Sequence, residues 1–120
     1  MTKVLRGDVW AVDFEPQTHR QEPGEKERPA LVIQTDALNN AGHPTTIVVP
    51  GTSSVDSLPP GDHFPLRVRV QKSDALRYDT DLLIDQVRAI ANGRFMYRYC
   101  AVGPNILKKV EDALRHLVGR

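Results

Sequence analysis

The chain has 120 residues, 40% of them apolar and 26% charged, which supports one hydrophobic core and excludes two. Its formal net charge of +1 argues against a broad duplex-DNA binder, although local placement of charge still permits a small nucleic-acid site. No apolar run reaches the length of a membrane span or the core of a secretory leader, so a cytoplasmic location without membrane attachment is expected.

In chain order, "RGDVWAVDFEP" alternates, with Val9, Ala11 and Asp13 on one face and Trp10, Val12 and Phe14 on the other. This pattern predicts a strand, ended by Pro16. "QTHRQEPGEKE" is polar with Pro23 and Gly24 and reads as an exposed loop. "RPALVIQT" is a second strand, in which Pro29 follows Arg28 and precedes a buried apolar run. A turn-like stretch, "DALNNAGHP", leads to a third strand, "TTIVVP". "GTSSVDSLPPGDH" is another loop, whose consecutive prolines exclude helix. "FPLRVRVQ" alternates Leu66, Val68 and Val70 against Arg67, Arg69 and Gln71, as a half-exposed strand does. "TDLLIDQVRAI" fits helix or strand by pattern, and its branched residues favour mostly strand. "FMYRYCAV" is the last strand.

The end of the chain has a different period. Ile106, Leu107, Val110, Ala113, Leu114 and Leu117 recur at helical spacing. Gly103 serves as N-cap, Pro104 suits the first turn, and Gly119 ends the helix. The expected fold is a single domain over residues 1–120, mainly β with a C-terminal α-helix, in a small β-barrel. Cys100 is the sole cysteine, so an internal disulfide is impossible; within an apolar run it reads as a packed residue.

The chemistry-bearing patterns are few. His19, His43, His63 and His116 have no metal-ligand spacing, and there is no Cys/His cluster. Phosphate-binding glycine loops and the nucleophile elbow are absent, so no metal and no cofactor is expected. What remains lies at strand ends: Arg28 opens one strand, and Thr52, Ser53 and Ser54 follow another. A guanidinium fork matches phosphate oxygens, and a hydroxyl beside it donates to the same group, which makes a plausible phosphoryl-transfer site. The plainer reading makes Arg28 a solvated charge and the hydroxyls turn chemistry. Trp10 reads as core and Phe14 as either core or a stacking ring at a site rim. Arg67 and Arg69 read as a solvated face by default.

The blocks "RGDVWAVDFEP", "RPALVIQTD", "IVVPGTSS", "FPLRV", "LLIDQVRAI" and "VEDAL" occur in the order found in the MazF/PemK (Kid) toxins, and the chain resembles that family over nearly its whole length. The resemblance implies an SH3-like β-barrel, a homodimer, and metal-independent, sequence-specific cleavage of single-stranded RNA. It also implies a cognate antitoxin partner. It makes Arg28 and Thr52 the catalytic pair, leaving a 2′,3′-cyclic phosphate and a 5′-hydroxyl. Phe14, Ser53 and Gln86 would contact RNA, with Arg88 beside Gln86 as a further charge. His19, Glu22 and Glu25 are general-base candidates by chemistry only. Two rivals stay open: a CcdB-like gyrase-binding toxin, and a catalytically silent SH3-like module.

Overall fold

The protein is described by a computed structural model covering residues 3–14, 27–53 and 66–119. Seven strands and two helices are present among these residues: β1 (Asp8–Asp13), β2 (Glu27–Val32), α1 (Asp36–Asn40), β3 (Thr45–Thr52), β4 (Arg67–Val70), β5 (Thr80–Leu83), β6 (Arg88–Ala91), β7 (Phe95–Ala101) and α2 (Pro104–Leu117). All ladders are antiparallel, in the order β4-β5-β3-β2-β1-β7, with β6 also on β3. Among the described residues the path does not close from β4 onto β7, so "barrel" describes it loosely. The expected mainly-β fold with a C-terminal helix is what the chain forms.

The period-two pattern of β1 divides the core. Trp10, Val12 and Phe14 pack with Ala30, Val32, Val48 and Ile90 on one side of the sheet. Val9 packs with Leu31, Val49, Leu82, Val110 and Ala113 on the other. Both sides are buried because α2 covers the second with Val110 and Ala113, as its apolar spacing predicts. Trp10 is core as expected, 3% exposed, and its indole N–H is satisfied by the buried Asp8 carboxylate at 3.2 Å.

β3 organises the sheet. Along one edge it pairs first with β6, from Thr45 to Val48, and then with β5, at Gly51 and Thr52. The segment "TDLLIDQVRAI" is therefore two strands joined by a 3₁₀ turn, Ile84–Gln86. The turn carries the chain past the gap between its two pairings, with Ile84 as the buried pivot. The close β3–β5 approach depends on Gly51, because a Cβ there would stand 2.6 Å from Thr80 Cγ2.

The turn-like stretch after β2 differs from expectation. It is a five-residue helix, α1, because Thr35 Oγ1 accepts from the Ala37 amide at 3.4 Å. Asn39 then ties it down by donating to Gln34 O and Asp36 Oδ1, each at 3.0 Å. At the other end, α2 begins with Gly103 as N-cap and Pro104 in its first turn, as expected.

Candidate active site

Arg28 and Thr52 lie far apart in sequence and are brought together by register. Ala30, Leu31 and Val32 on β2 pair with Pro50, Val49 and Val48 on β3. Carried two positions further, that register sets Arg28 across from Thr52. Residues directly opposite in an antiparallel ladder project to the same side of the sheet. This is also the side of Phe14, which follows β1 after Val12, the β1 partner of Arg28.

The Arg28 guanidinium is held in place. Its Nε and Nη2 both donate to the Gly51 carbonyl at 3.2 Å. Its Cζ lies 5.6 Å from the centre of the Phe14 ring, and Arg88 Cζ lies 5.5 Å from the same ring. One buried aromatic thus supports two cations, concentrating positive potential at this end of the sheet. Phe14 itself is only 3% exposed, so its ring serves the arginines directly.

Beside the pair lies a cleft of about 680 Å³, lined by Arg28, Thr52 and the exposed Ser53. The other walls come from β7, with Tyr97, Arg98 and Tyr99, and from the loop before β5, with Asp74, Arg77 and Tyr78. Glu27 and Asp74 are the carboxylates lining it. Gln86 is exposed at the end of the 3₁₀ turn, two residues before Arg88, and does not line the cleft. His19, Glu22 and Glu25 lie outside the described residues. Among the described residues no group of three His, Cys, Asp or Glu side chains is placed to hold a metal ion.

Two features escaped sequence reasoning. Arg67 and Arg69 do not form a freely solvated face. Both converge on Asp81, which is fully buried: Arg69 Nε donates to Oδ1 at 2.7 Å and Arg67 Nη1 to Oδ2 at 3.3 Å. Asp81 is in turn the ladder partner of Thr52. Tyr97 is the other. Its hydroxyl donates to Glu27, which, followed by its interaction with Tyr99 and by burial, pushes its pKa well above the usual tyrosine value. The alternation Tyr97-Arg98-Tyr99 was the available signal, and it reads equally well as an ordinary strand.

An open antiparallel sheet with one C-terminal helix, carrying an arginine and a threonine on adjacent strand ends, defines a small β-fold with both residues beside one cleft. The family described as "PemK-like, MazF-like toxin of type II toxin-antitoxin system" matches residues 5–118. Endoribonuclease EndoA of Bacillus subtilis (strain 168) is 32% identical over 116 residues, covering 93% of this chain and 91% of the relative. MazF from Deinococcus radiodurans superposes with a TM-score of 0.76 at 21% identity, covering 100% of both chains. A MazE–MazF structure from the same organism gives a TM-score of 0.74 at 21% identity, covering 99% of this chain and 98% of that one. The chain belongs to the PemK/MazF toxin family, in its endoribonuclease class.

Proposed function

We propose that this toxin cuts single-stranded RNA at the Arg28–Thr52 pair, by attack of a ribose 2′-hydroxyl on the adjacent phosphorus. The new bond joins phosphorus to O2′, and the bond to O5′ breaks. The products are a 2′,3′-cyclic phosphate and a 5′-hydroxyl: the 2′-hydroxyl gives up its proton as it attacks, and the departing 5′ oxygen takes one up. Negative charge builds on the non-bridging oxygens, and a fixed guanidinium beside them is the strongest stabiliser the site offers. A guanidinium is a poor proton donor, so charge stabilisation is the principal role of Arg28. Thr52 donates its hydroxyl to the same phosphate. Phe14 contributes by holding Arg28 and Arg88, while the exposed Ser53 and Gln86 offer polar groups to the RNA.

The observation that carries this reading is the shared register and shared cleft of Arg28 and Thr52. A gyrase-binding toxin or a silent module has no need of that pairing. Family membership supports the remaining assignments: a homodimer, a cognate antitoxin that folds onto the toxin, and action in the cytoplasm to inhibit translation and growth. No described helix is long and apolar enough to cross a membrane.

The test is cleavage of a long, sequence-diverse RNA in excess chelator, comparing the wild type with Arg28→Ala. Cuts bearing cyclic phosphate and 5′-hydroxyl ends are expected, reduced about 10²–10³-fold in the variant, as when one transition-state donor is removed. Equal cleavage by both proteins, or none by folded wild type, would overturn the assignment.

A further inference from the structure

We infer that Tyr97 is the stacking platform for one nucleobase of the RNA strand near the cut, a subsite that rests on the endoribonuclease reading above. The ring is fixed at two points. Its hydroxyl donates to the Glu27 carboxylate, and it meets Tyr99 edge-on, with ring centroids 5.3 Å apart at 76°. Fixed aromatics are normally sunk in the core, yet 47% of Tyr97 is exposed. It opens into the cleft that Arg28 and Thr52 line, and that cleft, about 680 Å³, falls within the usual size of a small-ligand pocket. The loop before β5 adds Arg77, exposed and without a described ion pair, to the same cleft.

This combination suits a single-stranded nucleic acid. An aromatic face takes any base, and a nearby guanidinium takes the neighbouring phosphate. The ring is set before the RNA arrives, so little ordering entropy is lost on stacking. The Glu27 carboxylate, already accepting from Tyr97, disfavours a phosphate at that spot. Tyr97 pairs with Ala11 and so projects to the sheet side opposite Arg28, and the nucleotide therefore enters base first with its phosphate toward Arg77.

The experiment begins by mapping a cut made by wild-type protein. A labelled oligoribonucleotide spanning it is then made with 2′-deoxyribose at the cut nucleotide, which removes the nucleophile. Companion oligonucleotides lack one base at each neighbouring position. Affinities are measured by fluorescence anisotropy for wild type, Tyr97→Leu, Tyr97→Phe and Tyr97→Trp. Tyr97→Leu is expected to bind about tenfold more weakly, the size of a lost base–aromatic stack. Phe and Trp are expected to retain binding, and the Leu penalty should vanish for the one oligonucleotide lacking the stacked base. An equal penalty on every oligonucleotide overturns the proposal. So does unchanged RNA binding, including the case where Tyr97→Leu alters the oligomeric state instead, which makes the tyrosine a protein contact. Folded wild type that cuts no RNA would refute the underlying endoribonuclease reading, an outcome distinct from a cut RNA that ignores Tyr97.

Discussion

Thr52 faces Asp81 across the β3–β5 ladder, and Asp81 is the completely buried carboxylate that Arg67 and Arg69 share. Register continues the row through Thr52 to Arg28, giving a rung of the sheet in which cation, anion, hydroxyl and cation follow one another. A buried carboxylate is tolerated only with such partners, and removing it strands two half-buried guanidiniums.

Asp81→Ala should therefore lower stability by roughly 2–4 kcal/mol, somewhat less than a wholly buried pair because the arginines keep some solvent. Urea denaturation would measure it. Arg67→Met with Arg69→Met in the Asp81→Leu background should recover much of the loss. Failure to recover would mean that the cluster does more than satisfy its own charges.

Gly51 connects fold and site, because its carbonyl receives Arg28 while its missing side chain admits Thr80. Gly51→Ala is expected to push β3 from β5 and displace Arg28 and Thr52 together. Displacements of about an ångström typically cost up to a hundredfold in rate. Thr80→Ser deletes the methyl that the new Cβ would strike, so the double variant should regain activity. RNA cleavage rates of the single and double variants decide it.

Phe14→Leu tests the shared ring. It fills most of the same volume, so stability should fall by only about 1–2 kcal/mol. Cleavage should fall further than stability suggests, by about tenfold, because Arg28 and Arg88 lose their aromatic support. A cleavage rate unchanged from wild type would show that Arg28 is positioned without the Phe14 ring.

Acid should loosen the corner where α1 meets the start of the chain. The Arg6 amide donates to Asp36 Oδ1 at 2.7 Å, and this bond, followed by the Asn39 amide, holds the Asp36 carboxyl below its usual range. The unfolded chain takes up that proton more readily, so the stabilisation is present above about pH 4 and is lost as pH falls through the lower, folded value. Asp36→Asn should flatten the stability–pH curve on the acid side. Chemical denaturation across that range would reveal it.

The strands were legible in the sequence because branched residues alternate or run together wherever the sheet buries them, as in "DVWAVD" and "RPALVI". Arg28 and Thr52, the pair proposed for cleavage, were marked out by family motifs, while their adjacency depended on long-range register that no local pattern encodes. Asp81 was not singled out because an acidic residue beside "LLI" gives no sign that it will be fully buried. Arg67 and Arg69 looked solvated for the same reason: their partner lies on another strand. The helix α1 was hidden by asparagines, which favour turns until a cap such as Thr35 satisfies the first amide.

The register that joins Arg28 to Thr52 has a consequence for how this chain tolerates length changes. Side chains alternate along a strand, so one residue inserted between Arg28 and Ala30 would send Arg28 to the opposite side of the sheet, away from Phe14. Residues inserted before Glu27 or after Ser53 leave that parity intact. Variants selected from a library of random insertions and deletions for retained toxicity should therefore reject single-residue changes within residues 28–32 and 48–52.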